Sequence, residues 1–394
     1  MSLPPTKHQE GSYRPRPPAP PHAAGNFQWL RSGAVALAAM LEAIVAARTS
    51  IRLEMYTIAP GPLGEKFLAA LAAAAQRGVR VRVLADGVGS HSLNAAFWQP
   101  LLLAGGEHRY FKLPGLGRFG LRDHRKLLLC DDTRAIIGGV NIGPAYDGDG
   151  VNAGWRDMAV QFHGALARDL GATFDEMFAL AKFKHSRFAW LRHAIHQRRL
   201  EAGHATILLT APGWRSTPLR RSITRDFRNA ESIRIMMAYF LPTGRVLRAL
   251  CGATKRGAKV QIILARQSDM PLTRMAARSL YSRLLQSGVE IYEYLPQILH
   301  AKLMIVDEKI IYAGSANLDV RGLRLNYELS LRVENQRLAA EADEMYEADL
   351  ARCQRIELQE WMKSRHWWRR LLDYFAYWLH AHFDPFVASH SWRR

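Results

Sequence analysis

The chain carries one pattern twice. Residues 233–240 (IRIMMAYF) repeat 51–58 (IRLEMYTI), Arg256-Gly257-Ala258-Lys259-Val260 repeats Arg77-Gly78-Val79-Arg80-Val81, and 288–294 (GVEIYEY) repeats 105–111 (GGEHRYF). The offsets are 182, 179 and 183 residues, which makes this a single long internal duplication and not a short solenoid repeat. Two homologous domains follow, one over 27–181 and one over 205–352.

Within each copy the local pattern is α/β. Residues 51–58 are rich in β-formers, 63–76 form an Ala-rich helical stretch, and Arg77-Gly78 supplies a stop. Residues 79–85 (VRVRVLA) then alternate with period two, as a half-buried strand does. Strand, helix and strand in that order predict a parallel β-α-β unit.

The duplication also repeats a polar constellation. The first copy has His124, Lys126 and Asp131, followed by Gly138-Gly139 and Asn141; the second has His300, Lys302 and Asp307, followed by Gly314-Ser315 and Asn317. All of these are offset by 176 residues. A chance match to the His-Lys-Asp spacing is expected about 0.02 times in a chain of this length, so two such matches are not accidental. His and Lys two apart on a strand project from one face. The Asp, seven positions past the His, has the opposite parity, and two readings stand open for it: a turn or orienting residue, or a catalytic group beside the His and Lys, with Asp131 and Asp307 counted among the catalytic residues. The glycines lack bulk where a backbone approaches a ligand, and the asparagines offer amide donors beside them. A further matched pair, Asp157 and Glu328, supplies carboxylates suited to accept a histidine ring N–H.

Two His, two Lys and two Asn suit a phosphoryl group, whose oxygens carry charge that must be stabilised. One neutral imidazole attacks phosphorus and the other protonates the leaving alcohol, then accepts a proton from the incoming one. Neither copy holds a complete acid–base pair, which predicts a site between the copies. No metal and no cofactor is called for. Cys130, Cys251 and Cys353 lie far apart without a CxxC, against a disulfide scaffold or a structural zinc site.

The remaining segments bear on the partner. A formal charge of +19 points to a polyanion, either nucleic acid or an anionic membrane face. Residues 1–26 read as a Pro-rich disordered arm and 182–204 as a basic linker. The tail, 353–394, mixes Trp367, Trp368, Leu371, Leu372, Phe375, Trp378 and Leu379 with Arg365, Arg369 and Arg370. That is an amphipathic aromatic helix suited to a lipid interface, or equally one docked on the protein's own core. No run reaches the ~18–20 apolar residues of a membrane span.

The paired HxKxxxxD motifs with their downstream Gly and Asn resemble the signature of the phospholipase D superfamily. The stretches 138–146 (GGVNIGPAY), Trp155-Arg156-Asp157, 314–319 (GSANLD), Asn326-Tyr327-Glu328 and 267–271 (QSDMP) are similar to bacterial cardiolipin synthases, most of all the shorter B-type. The resemblance implies two phospholipase D-like domains, each a mixed sheet flanked by helices, with the active site at their interface. It implies transfer of a phosphatidyl group from phosphatidylglycerol to a second phospholipid alcohol, at the cytoplasmic side of the bacterial inner membrane. His124 and His300 would be nucleophile and acid–base, with the first as nucleophile. Lys126, Lys302, Asn141 and Asn317 would bind the phosphate, and Asp157 and Glu328 would orient the imidazoles. Gly322, where many relatives have Ser, and Asp123 before the first His depart from the pattern. A lipid hydrolase and a nuclease of the same superfamily are the rival readings.

Overall fold

The computed structural model describes residues 26–111, 121–181, 197–213, 217–364, 371–373 and 375–378. Each copy of the duplication builds its sheet in the same way. The first contains β1 (Gln28–Leu30), β2 (Ser50–Met55), β3 (Arg80–Asp86), β4 (Glu107–Phe111), β5 (Leu127–Cys130), β6 (Arg134–Gly138) and β7 (Ala159–His163), in the order β1-β7-β6-β5-β2-β3-β4. Strands β2, β3 and β4 run parallel and the other pairings are antiparallel. The helix Pro62–Gln76 makes the first parallel crossover. It begins with Pro at its first position and ends at Gly78, whose φ of 88° is readily adopted only without a Cβ.

The second copy contains β8 (Arg199–Ala202), β9 (Ala205–Thr210), β10 (Ser232–Met237), β11 (Lys259–Ala265), β12 (Glu290–Tyr294), β13 (Lys302–Val306), β14 (Ile310–Gly314), β15 (Glu328–Glu334) and β16 (Cys353–Ile356). Its order is β16-β12-β11-β10-β13-β14-β15-β9-β8. Without the outermost strands β8 and β16, this is the first sheet's order read from the other edge. Those two strands correct the boundaries read from sequence. β8 lies within the 182–204 segment taken as linker, and β16 opens the 353–394 tail. Both are four-residue edge strands with charged or polar exposed positions, so composition alone gave them no strand signature.

The two sheets share a core. One buried cluster takes Trp29, Leu127, Val160 and Phe174 from the first copy and Ile207, Leu303, Leu331 and Tyr346 from the second. The helices Ala165–Leu180 and Gln336–Leu350, which follow β7 and β15, contribute to this cluster. Two further clusters are each confined to one copy. Polar ties reinforce the join: Arg156 donates through Nε to Asp349 at 2.8 Å, and Trp29 donates to the Leu338 carbonyl at 3.0 Å.

Of the tail, residues 371–373 and 375–378 are helical. Asp373 and Ala376 are buried and Tyr377 packs on the second copy's core, while Leu371, Leu372, Phe375 and Trp378 are exposed. The described part of this helix therefore docks on the protein by one face and leaves an apolar face outward. Trp367, Trp368, Leu379, the three tail arginines, the arm up to residue 25 and residues 182–196 of the linker lie outside the described residues.

Candidate active site

Each histidine sits just before a strand, and each approach segment runs beside the other copy. Asp123 bridges Tyr327, and Arg156 bridges Leu299, both in parallel. His124 N donates to the Tyr327 carbonyl at 3.0 Å, and His300 N donates to the Arg156 carbonyl at 2.8 Å. Glu328 and Asp157 are the next residues along those partner segments, so each carboxylate arrives beside the other copy's imidazole. His124 Nδ1 lies 3.0 Å from Glu328 Oε1, and His300 Nδ1 lies 2.6 Å from Asp157 Oδ2. The pairing is thus exchanged across the duplication. Linear spacing carries no trace of this, because each pair is made only when the halves meet.

Both carboxylates are fully buried. Glu328 also accepts from Ser315 Oγ at 2.5 Å and from Asn326 Nδ2 at 3.1 Å. Asp157 accepts from its neighbouring Met158 N at 2.8 Å. Gly139 stands where the second copy has Ser315, and a Cβ there would come within 2.3 Å of the Asp157 carboxylate. Gly139→Ala is accordingly expected to push that carboxylate off His300 and lower turnover by about 10²-fold, the scale of a 1 Å misplacement. Steady-state kinetics beside a thermal melt check this; unaltered kinetics would show that Asp157 has room to yield.

Lys126 and Lys302 are buried and lie within hydrogen-bonding reach of their histidines. Lys126 Nζ donates to the His124 carbonyl at 2.8 Å; Lys302 Nζ donates to the His300 carbonyl and stands 2.9 Å from His300 Nδ1. Asn141 accepts from Thr57 N at 3.1 Å and donates to the Tyr146 hydroxyl at 2.7 Å, which leaves one amide N–H for a ligand. Asn317 is buried, and its Oδ1 has no partner among the described residues.

Asp131 and Asp307 do not join this group, and their inclusion with the catalytic residues is corrected. They lie at the far ends of β5 and β13, roughly 20 Å along the strand from the histidines at about 3.3 Å per residue. With Asp132 and Glu308 they hold positive φ of 52–55° in two hairpin turns. Asp131 Oδ1 accepts from Thr49 N and Ser50 N, and Asp307 Oδ1 accepts from Glu231 N and Ser232 N. Each ties the turn to the start of the neighbouring central strand. The turn role left open in the sequence is the one these bonds match.

Four aromatic residues to which the sequence assigned no role in the site surround the imidazoles. Tyr56 stands edge-on to His124 with ring centres 4.7 Å apart. Tyr146, Trp155 and Tyr239 stand 5.3, 5.4 and 6.2 Å from His300. All four fell inside stretches already singled out, but nothing in their spacing marked them as neighbours of a histidine, least of all Tyr146 and Trp155, whose histidine belongs to the other copy.

Burial governs the site's protonation. It drives His124 well below the usual histidine value, helped by the charges of Lys126, Lys302 and His300. His300 is lowered by burial and then by Lys302, against the opposing bond from Asp157. Burial brings Lys126 down to about 7 and lowers Lys302. It raises Glu328 to about 8, against the charge of Lys126 and the bonds from Ser315 and Asn326. Both imidazoles are therefore neutral in the free protein near pH 7, and the ammonium of Lys126 is only partly retained. An anionic ligand favours every protonated form and draws protons in. We expect kcat/KM, which reports the free enzyme, to fall above pH about 7 as Lys126 deprotonates, while the fall in kcat lies at higher pH. Coincident limbs in the two pH profiles would contradict this.

The sequence and the fold have counterparts in known proteins. The family described as cardiolipin synthase, PLD-like domain, matches residues 40–150 and 223–350, once in each copy. Cardiolipin synthase B of Salmonella typhi is 33% identical over 92% of this chain and 89% of its own length. Cardiolipin synthase A of Serratia proteamaculans is 29% identical over 89% of this chain and 74% of its own. Among solved structures, the phosphatidylserine synthase of Haemophilus influenzae Rd KW20 superposes with a TM-score of 0.70 at 15% identity, covering 92% of this chain and 94% of that one, a likeness of fold. Two copies of one domain, matched in both halves and across nearly the whole chain, place this protein in the cardiolipin synthase family, phosphatidyltransferases of the phospholipase D superfamily.

Proposed function

We propose that the protein transfers a phosphatidyl group from phosphatidylglycerol to the alcohol of a second phospholipid through a phosphohistidine, acting peripherally at the cytoplasmic face of the bacterial inner membrane. The exchanged carboxylate–imidazole pairs carry this reading. Each Nδ1 is engaged by a buried carboxylate, so Nε2 is the ring atom each imidazole offers to substrate; at His300 it lies 3.3 Å from Lys302 Nζ and 3.5 Å from the Tyr146 hydroxyl. Neutral His124 attacks phosphorus through Nε2. The N–P bond forms as the P–O bond to glycerol breaks, and His300, which has taken up a proton at Nε2 with the anionic substrate, delivers that proton to the leaving oxygen. The acceptor hydroxyl then returns a proton to His300, its oxygen bonds phosphorus, and the N–P bond breaks. Asp157 stabilises the imidazolium at His300 that both half-reactions pass through. Lys126, Lys302, Asn141 and Asn317 line the place where charge develops on the phosphoryl oxygens, which is where preorganised donors count most. Among the described residues no helix is long and apolar enough to cross a membrane.

The test is expression in cells lacking cardiolipin, with the lipids resolved by thin-layer chromatography and the release of glycerol and ethanolamine followed. Cardiolipin with released glycerol is the expected result. Phosphatidic acid alone would mean hydrolysis, and cleavage of plasmid DNA by the pure protein without new cardiolipin would mean a nuclease.

A further inference from the structure

A recess of about 430 Å³ opens on the second copy between the helices Pro218–Asn229 and Gly244–Lys255. Arg221, Thr224, Arg225, Arg228, Asn229 and Arg245 line it, without one carboxylate. Arg225 is paired with Asp226, but Arg228 and Arg245 are exposed and make no ion pair among the described residues. The like charges press on one another. Beneath them the Arg220 guanidinium is held below its ordinary value by burial and then by Arg324, Arg245 and Arg221. An anion at Arg228 and Arg245 would relieve this repulsion.

Its neighbourhood identifies the anion's carrier. Arg245 directly follows Gly244, which lines a second pocket of about 250 Å³ with Tyr239, Met270, Asp319, Arg324 and Tyr377. Tyr239 is the residue whose ring faces His300, so this second pocket adjoins the catalytic centre. Met270, in the same lining, and Leu272, close to it in sequence, are exposed, as are Leu371, Leu372, Phe375 and Trp378 on the tail segment that carries Tyr377. A pocket lined by Tyr239 is thus bordered by Gly244, next to Arg245 of the recess, and by segments that expose large apolar side chains. Nucleic acid has no use for the apolar flank. A bilayer with anionic headgroups meets both.

We infer that the arginine recess is a second, non-catalytic site that holds the phosphate of an anionic phospholipid headgroup and seats this face of the second copy on the bilayer. The inference rests on the lipid reading proposed above and adds where the surface is met. The headgroup phosphate accepts from Arg228 and Arg245, the apolar flank enters the acyl boundary, and the pocket beside Tyr239 opens onto the lipid.

The paired change Arg228→Ser and Arg245→Ser alters two exposed residues outside the catalytic set. On vesicles of phosphatidylglycerol and phosphatidylcholine it is expected to weaken binding about thirtyfold, with little change on pure phosphatidylcholine. Arg228→Lys with Arg245→Lys should retain most of the affinity. Turnover of a water-soluble short-chain phosphatidylglycerol below its micellar threshold should be unchanged. Unaltered vesicle affinity, an equal loss on both vesicle types, or a loss seen only with single-stranded oligonucleotide would overturn the assignment. The short-chain assay on the unaltered chain reports the proposed function separately, so an absence of transfer there is distinguishable from a failure of the recess.

Discussion

His124→Ala and His300→Ala are each expected to lower phosphatidyl transfer by at least about 10⁴-fold, and the double change to cost little more than the worse single one. Groups that act as one unit are not additive when removed singly. Here both imidazoles are buried, and each lies within the electrostatic reach of the other copy's lysine. A leaving-group test separates their roles. A phosphodiester with a p-nitrophenolate leaving group needs no proton on departure, so loss of the acid is partly rescued while loss of the nucleophile is not. With His124 as nucleophile, the His300 variant should regain release of p-nitrophenol and the His124 variant should not. The opposite pattern would reverse the assignment, and substantial transfer by either variant on the lipid substrate would end the composite-site mechanism.

The carboxylates should come next in effect. Asp157→Asn and Glu328→Gln keep shape and volume but replace an acceptor with an amide that presents the wrong partner to Nδ1. In the serine-protease triad, where this comparison is established, such a change costs about 10⁴-fold through the wrong tautomer. A loss of about 10³–10⁴-fold is expected here, with little change in the melting temperature. The exchange across copies adds a sharper signature. Glu328→Gln should produce the defect of a damaged His124, and Asp157→Asn that of a damaged His300, including its rescue by the activated substrate. If each carboxylate variant instead resembled loss of the histidine in its own copy, the observed pairing would not be the working one.

How far the chain declared this in advance depends on the range of each interaction. The helix-and-strand order of each copy was legible because it rests on local periodicity and on stops such as Arg77-Gly78. The nearness of each Lys to its His followed from a separation of two residues, although His124, Lys126 and His300 stand just outside the strands. What lay beyond reach was made by tertiary contact. Glu328 meets His124 across 204 residues, and Asp157 meets His300 across 143. The aromatic residues around His300 come partly from the other copy. Asp131 and Asp307 misled in the other sense: their constant spacing from the histidines reflects a hairpin of constant length, repeated because the fold is repeated. β8 and β16 escaped notice because short polar edge strands are recognised by their partners, not by their composition.

The exchanged pairs also order events in time. During synthesis His124 emerges long before Glu328, and the strand that supplies Glu328 closes against β9 and β14 only near the end of the chain. A nascent chain that stops short of residue 328 lacks the acceptor for His124, however well its first half has folded. On the proposed mechanism, activity is therefore withheld from every product that stops short of residue 328, and the nascent chain's chemistry stays switched off until β15 is laid down.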